Sequence, residues 1–167
     1  MLARNKTSIA GQTSTDWVQT LLIDEVGRGV GWSYGNMGRY APNIVGRYVW
    51  ILDDDDECIC RTLVDDLRRI VEEHDPDVIM MRMDHGPRGI LPDSRHWQAA
   101  IELGFIGVSA IVVRRELWQK YAPVMAGEKY SSDFDFIQAI LADTQRVVWH
   151  DCIASRVQQI SMGAPEA

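Results

Sequence analysis

The pattern of apolar and polar positions divides the chain into short strands and amphipathic helices. Residues Arg47 to Leu52 are mostly aromatic or branched and run directly into Asp53-Asp54-Asp55-Asp56, so we expect a buried strand that ends at four carboxylates. From Cys58 to His74, apolar residues recur at helical spacing and predict an amphipathic helix. After the Asp75-Pro76 break, the apolar run from Asp77 to Met83 predicts another strand. This order of strand, helix and strand is typical of a parallel crossover unit.

Further elements are predicted on both sides of this unit. The strands are Trp17 to Ile23, Phe105 to Val113 and Arg146 to His150, and the helices are Asn36 to Gly46, Arg114 to Tyr121 and Asp133 to Leu141. Residues 1–15 predict a loose or helical start, and residues 155–167 a polar tail. The glycines from Gly27 to Gly35 predict a loop, and their spacing does not fit a dinucleotide-binding fingerprint. We expect residues 1–167 to form one α/β domain.

Composition narrows the classes of protein that fit. The 167 residues are 46% apolar and 25% charged with a net charge of -7, which disfavours general nucleic-acid binding. Cys58, Cys60 and Cys152 form no zinc or disulfide framework, so we expect free thiols in a reducing compartment. No apolar run reaches the roughly 18 residues that span a bilayer, and the start lacks the apolar core of a signal peptide. These features predict a cytoplasmic protein without a transmembrane segment.

Acidic residues recur where predicted strands end and where one predicted helix begins. The groups are Asp24 with Glu25, Asp53 to Asp56, Asp133 with Asp135, and Asp151 beside His150. Because ligands bind at the carboxyl ends of strands in open α/β sheets, one site could collect these groups. Crowded carboxylates repel one another, and a divalent cation with oxygen ligands relieves that repulsion. The residues alone leave two other interpretations open: a solvated acidic turn, and acids that stabilise a helix N-terminus.

Several of these segments, in this order, resemble GT-A fold glycosyltransferases, and most of all glycosyltransferase family 2. They are Gln12 to Trp17, the strand to Asp24, Gly46 to Asp56, Ile106 to Ala110, Ser132 to Asp135, and Trp149-His150. The resemblance covers roughly residues 8–156 and implies a single-domain GT-A-like, mostly parallel sheet flanked by helices. It also implies transfer of a sugar from a nucleoside diphosphate donor, such as a UDP-sugar, to an acceptor hydroxyl with inversion.

The resemblance assigns the donor side of the site to four acids and a histidine. Asp24 is similar to the acid that binds the nucleotide base, and Asp53 and Asp54 would contact the nucleotide, with Asp53 at the ribose. Asp55 would hold Mn²⁺ or Mg²⁺, and His150 matches the late histidine that completes the metal shell in some members. This cation would neutralise the departing diphosphate.

The acceptor side is assigned to the helix that begins near Ser132 and to the long loop after Asp84. Asp133 matches the acid that serves as general base, and Asp135 is the fallback. Trp97 could stack on a sugar, and Arg88 could approach the diphosphate or the acceptor saccharide, although a loop arginine is usually just solvated.

The family usually begins with a buried strand and a helix before the segment that resembles Gln12 to Trp17, whereas this chain begins inside that helix. Three explanations are open: a minimal transferase, a fragment or misassigned start, or a homo-oligomer whose partner covers the exposed sheet edge. Two rival functions also remain: a metal-dependent phosphate-ester hydrolase or nucleotidyltransferase, and a non-catalytic module that binds a nucleotide sugar or a partner protein.

Overall fold

The computed structural model describes residues 2–126 and 131–157, and these form one sheet with helices around it. The α-helices are α1 (Leu2–Ala10), α2 (Val30–Tyr40), α3 (Leu63–His74), α4 (Arg115–Tyr121) and α5 (Ser132–Asp143). The strands are β1 (Tyr48–Trp50), β2 (Glu57–Cys58), β3 (Val78–Asp84), β4 (Ile90–Leu91), β5 (Ile111–Arg114) and β6 (Val147–Arg156). Short 3₁₀ helices lie at Ala41–Asn43, Gly86–Arg88, Val108–Ala110 and Ala122–Ala126.

The strands form one sheet in the order β1-β5-β3-β6-β2, and β4 pairs with β3 beside this path. One apolar core lies on the side of α4 and α5, where Phe136, Ile137 and Ile140 are fully buried. A second, smaller core lies on the side of α3 and includes Leu63 and Ile70. The α/β fold that the sequence predicts is therefore confirmed.

The prediction of a mostly parallel sheet is wrong in one respect. Among the described strands, β3 and β6 are the one parallel pair, and the other four pairings are antiparallel. The strands before and after α3, β1 and β3, do run in the same direction, as the predicted crossover requires. Both are antiparallel to β5 and hence parallel to each other. β5 lies between them, so the two strands of the crossover are not neighbours.

The apolar segment Trp17 to Ile23 was predicted to be a strand, but it joins no strand of the sheet. Val18 is 74% exposed and Ile23 58% exposed. The aromatic and branched residues of this segment suit a strand, but without a backbone partner beside it the segment has no ladder to join. Strand β1 is the last strand at one edge of the described sheet. Its residues line a cavity, and residues 17–23 line the same cavity.

Helix α2 begins at Val30, inside the stretch that was predicted to be a glycine loop, and ends at Tyr40 rather than Gly46. The reason for one of its glycines is packing: a Cβ at Gly38 would lie 3.3 Å from the carbonyl oxygen of Ala122. The helix therefore accepts glycine, despite its low helix propensity, because the helix lies close to the neighbouring 3₁₀ turn.

Other predicted elements exist with shifted ends. Helix α3 starts at Leu63, since Glu57 and Cys58 form β2, and β6 continues beyond His150 to Arg156. The start of the predicted polar tail thus belongs to β6, and residues 158–167 lie outside the described residues. No helix among the described residues is long and apolar enough to cross a membrane.

A network of charged groups joins the strands at the amino end of β3. Asp77 accepts hydrogen bonds from Arg114 Nε at 3.0 Å, Thr144 Oγ1 at 2.6 Å and Arg146 Nε at 3.0 Å. Burial would raise the pKa of Asp77, but the hydrogen bonds and charge of Arg146, with those from Thr144 and Arg114, lower it. The network thus anchors β5 and the start of β6 to β3.

Replacing Asp77 by alanine is expected to lower the free energy of unfolding by about 1–2 kcal/mol at neutral pH, because two arginines lose a charged acceptor. The folded pKa lies below the unfolded value, so this stability is present above about pH 4 and is lost as pH falls through the folded pKa. Urea denaturation at pH 7 and pH 3 measures it: the variant and wild type should differ less at pH 3. Asp16→Ala, which removes an exposed carboxylate, is the control. Equal losses at both pH values would contradict this role.

Candidate functional site

The four acids that follow β1 form a tight turn. The backbone N–H of Asp56 donates to the carbonyl oxygen of Asp53 at 3.0 Å. Asp53 and Asp54 are exposed, Asp55 is half-buried, and Asp56 is buried at 3% exposure. The fourth acid of the turn is therefore buried in the protein, whereas the first three are at least partly open to solvent.

Helix α1 holds this turn through an asparagine that the sequence analysis did not single out. Asn5 is 2% exposed, and its Nδ2 donates to the carbonyl oxygens of Asp53 at 2.8 Å and Asp56 at 3.1 Å. Its Oδ1 accepts a hydrogen bond from Gln19 Nε2 at 2.8 Å. One further turn along α1, Ser8 Oγ accepts the backbone N–H of Cys58 at 2.9 Å. These contacts fix the turn between α1 and β2.

A cavity of about 450 Å³ opens beside the turn. Its walls are α1, residues 17–24 and β1, and most of its lining side chains are apolar. Asp24, Asp53 and Asp54 are the carboxylates that line it. An apolar cavity with a few convergent polar groups is typical of a small-molecule site.

The electrostatics of Asp53 show which acids lie together. Asp53 is exposed toward the cavity, but protein lies around its other sides. This desolvation, and then the negative charges of Asp55, Asp133 and Asp54, raise the pKa of Asp53 to about 6. Asp133, at the start of α5, therefore lies close enough to Asp53 for its charge to act on that carboxyl.

Asp133 occupies the first turn of α5, as the sequence predicts. Its carboxylate accepts the backbone N–H of Phe134 at 2.8 Å. Burial raises the pKa of Asp133, the hydrogen bond from Phe134 lowers it, and the nearby charge of Asp135 raises it, with a net increase. The preceding Ser131 makes no side-chain capping hydrogen bond. Asp133 is thus a half-buried carboxyl that binds its proton more tightly than an ordinary aspartate.

Asp24 lies at the end of the cavity wall formed by residues 17–24 and is already hydrogen-bonded. Its carboxylate accepts the backbone N–H groups of Val26 and Arg28 and pairs with Arg28 Nε at 3.1 Å. Burial would raise the pKa of Asp24, but these contacts together lower it. Asp24 therefore presents a fixed, ionised carboxylate to the cavity.

His150 belongs to β6, and its described contact is with α3. Beta strand β6 bulges between Trp149 and Ile153, and His150 Nε2 lies on the α3 side, 3.8 Å from Asp66 Oδ2. That buried nitrogen has no hydrogen-bond partner among the described residues. Strands β5 and β3 separate β6 from β1. No group of three or more histidine, cysteine, aspartate or glutamate side chains within residues 2–126 and 131–157 is arranged to hold a metal ion.

The three residues predicted for the acceptor side are held by the loop after β3 or by α5. Arg82 lies over the Trp97 ring, 4.1 Å from its centroid, and the ring meets Trp149 edge-on at 4.9 Å. Arg88 donates to the carbonyl oxygen of Gly104 within the same loop. Asp135 is exposed. The structure thus gives Trp97 and Arg88 contacts within the protein, and their acceptor roles stay predictions.

We expect the carboxyl of Asp53 to titrate well above the ordinary aspartate range, near pH 6, in the protein without ligand. Asp133→Asn should lower this pKa, because it removes a facing negative charge. Carboxyl-carbon NMR across pH 3–8 measures both. Asp135→Asn is the matched control and should leave the titration of Asp53 unchanged. An unaltered Asp53 titration in Asp133→Asn would contradict the proximity of these carboxyls.

The sheet and its helices form a glycosyltransferase-like α/β fold. The chain is similar to S. aureus TarS residues 1–349 in complex with UDP, with a TM-score of 0.65 and 15% identity over 93% of this chain and 56% of that one. It is also similar to TarS 1–349 in complex with UDP-GlcNAc, with a TM-score of 0.58 and 15% identity over 75% of this chain and 38% of that one.

A further structure of S. aureus TarS matches with a TM-score of 0.65 and 14% identity over 94% of this chain and 34% of that one. The chain thus spans about half, or less, of the length of these proteins. No protein-family model matches the sequence, and no curated protein was found to match it. The similarity therefore establishes the fold, and membership in glycosyltransferase family 2 stays a prediction.

Proposed function

We propose that this chain is a glycosyltransferase domain that moves a sugar from a nucleoside diphosphate donor, a UDP-sugar, to an acceptor hydroxyl with inversion. The observation that supports this function most directly is the convergence of Asp133 with Asp53, Asp54 and Asp55 beside a cavity that Asp24 also lines. The fold is shared with structures that contain UDP and UDP-GlcNAc. An acid cluster next to a nucleotide-sized cavity is what such a reaction requires.

The cavity would take the nucleoside. Its apolar walls suit a base, and a carboxylate on each side can accept hydrogen bonds from the base and the ribose. Asp24, which Arg28 holds ionised, would accept from a base N–H, whereas Asp53 would accept from a ribose hydroxyl. Asp54, exposed at the turn, would contact the nucleotide from outside.

The residues fit a divalent cation through their chemistry. Burial, and then the negative charge of Asp55, raises the pKa of Asp53 to about 6, and a hard cation relieves repulsion of this kind. Asp55 would hold Mn²⁺ or Mg²⁺ with Asp53 beside it. When bound, the cation supplies charge that neutralises the diphosphate as it departs. His150 would have to leave the neighbourhood of Asp66 to join this set.

Asp133 would act as the general base. The acceptor hydroxyl must lose its proton as it attacks the anomeric carbon, and a carboxylate with a raised pKa accepts a proton more readily than an ordinary one. The raised pKa of Asp133 supports this role, and a donor bound at Asp53 would lie within reach of its charge. The proton passes from the acceptor oxygen to the Asp133 carboxylate while the nucleoside diphosphate leaves from the opposite face of the sugar. The acceptor saccharide would approach from the side of α5 and the loop after β3.

The decisive experiment is to incubate the protein with a panel of nucleotide sugars and Mn²⁺, and to follow nucleoside diphosphate release with and without acceptor sugars. Release of UDP that increases with an acceptor supports the proposal. Release of nucleoside monophosphate or free phosphate would instead identify a hydrolase. Donor binding that depends on Mn²⁺ and persists without turnover would identify a non-catalytic binding module.

A further inference from the structure

The side chain of Asn5 connects the two walls of the candidate donor cavity. Its Nδ2 holds the backbone of the Asp53 turn, and its Oδ1 holds Gln19, which precedes Asp24 on the opposite wall. Asn5, Gln19, Asp24 and Asp53 all line the cavity. Three of the four hydrogen bonds that this buried amide can make are thus formed, two at the turn and one at the facing segment.

The segment that carries Asp24 has few other attachments. Among the described residues, no backbone-to-backbone hydrogen bond involves residues 17–24. The contacts of Trp17 Nε1 with Ser14 and of Asp24 with Arg28 are local. The Gln19–Asn5 hydrogen bond is therefore the described hydrogen bond that ties this segment to a distant part of the chain. Without it, the distance between Asp24 and Asp53 would be set by apolar contacts alone.

We propose that Asn5 is a positioning residue that couples the Asp24 wall to the acidic turn and so sets the affinity for the nucleotide of the donor. This role rests on the proposed function, because Asn5 acts on the nucleotide only through Asp24 and Asp53. Donor binding requires both carboxylates at fixed separation, and a nucleotide that must order the segment itself binds more weakly. The chemical step depends on Asp133 and the acceptor, neither of which Asn5 touches. Asn5 therefore affects donor binding and leaves the chemical step unchanged.

The test compares Asn5→Ala with Ser8→Ala, the matched control on the same helix. Ser8 Oγ donates to the backbone carbonyl of Asn5 and accepts from the backbone N–H of Cys58 in β2, and neither hydrogen bond reaches the turn or residues 17–24. Its loss therefore weakens the docking of α1 and keeps the side-chain hydrogen bonds of Asn5. We expect Asn5→Ala to weaken UDP binding in the presence of Mn²⁺ about tenfold by calorimetry. In turnover assays it should raise the donor KM with kcat and the acceptor KM unchanged. Ser8→Ala should leave the UDP affinity within about twofold of wild type.

A double-mutant cycle with Gln19→Ala adds a readout that a merely structural role would not change. If the two side chains act through one hydrogen bond, Gln19→Ala should weaken UDP binding, and adding it to Asn5→Ala should have little further effect. Additive losses, wild-type affinity in Asn5→Ala, or an equal loss in Ser8→Ala would each overturn the proposal. If Asn5→Ala fails to fold, Gln19→Ala alone decides, because wild-type UDP affinity in that variant overturns the coupling.

Amide hydrogen exchange on the protein without ligand separates the failure of this role from the failure of the proposed function. Asn5→Ala should speed amide exchange at residues 53–56 and increase proteolytic cleavage within residues 17–24, whose amides make no backbone hydrogen bond within the described part of the chain, whereas Ser8→Ala should do neither. If the wild type binds no UDP but Asn5→Ala shows this joint opening, the coupling stands and the proposed function fails. If UDP binds and the two segments do not open together, the coupling fails alone.

Discussion

Replacing Asp133 by asparagine is expected to lower the rate of sugar transfer by about 10³-fold, because general-base catalysis is commonly worth 10²–10⁴-fold. Asparagine keeps the size and the acceptor oxygen that binds the Phe134 N–H, but it cannot take a proton from the acceptor. The loss should therefore appear in kcat, with UDP affinity nearly unchanged or slightly improved, since a negative charge facing Asp53 has been removed. Single-turnover measurement of UDP release, with calorimetric binding of UDP, checks both parts.

Asp135→Asn is the matched control for this prediction. It lies two residues along α5, carries the same charge change and is exposed, so it should retain most of the activity. If Asp133→Asn impairs donor affinity alone, Asp133 binds the nucleotide and is not the general base. Equal losses in both variants would mean that the helix N-terminus, rather than one carboxylate, supports the reaction.

The parts of this site that the sequence predicts are those that a local pattern encodes. An apolar run followed by acids places the turn after β1, and an acid just after two serines places Asp133 in the first turn of α5. Both positions follow from chain order and from the preferences of helix starts. Their convergence is supported by the raised pKa of Asp53.

The parts that the sequence does not predict depend on distant pairing. Asn5 binds residues 48 and 51 positions away, and such a contact leaves no periodicity in a polar helix. Trp17 to Ile23 has the residue types of a strand but lacks a neighbouring strand, which no local window can reveal. The placement of His150 depends on extra residues in β6 relative to β3, which turn it toward α3. A bulge of this kind is set by the register of pairing, not by the sequence of one strand.

Asp55→Ala is expected to weaken Mn²⁺-dependent UDP binding by about 10² or more, because a carboxylate beside a divalent cation contributes several kcal/mol even in a partly polar site. Calorimetric titration of UDP with and without Mn²⁺ measures this, and the variant should bind alike in both conditions. The same substitution should not destabilise the protein without ligand, since it removes one of the charges that raise the pKa of Asp53. A melting temperature at or above that of wild type would show this relief of repulsion.

The control for Asp55→Ala is Glu72→Ala, which makes the same charge change on the exposed face of α3, where the side chain is 72% exposed. It should leave the Mn²⁺ dependence of UDP binding intact, so any general effect of net charge on the anionic ligand is accounted for. If Asp55→Ala keeps the full Mn²⁺ dependence, the cation is held elsewhere. If His150→Ala then loses both UDP affinity and its dependence on Mn²⁺, the cation is held by His150 on the α3 side of the sheet, with Asp66 as the second ligand. Retention in both variants would leave the acids after β1 with a nucleotide-binding role alone.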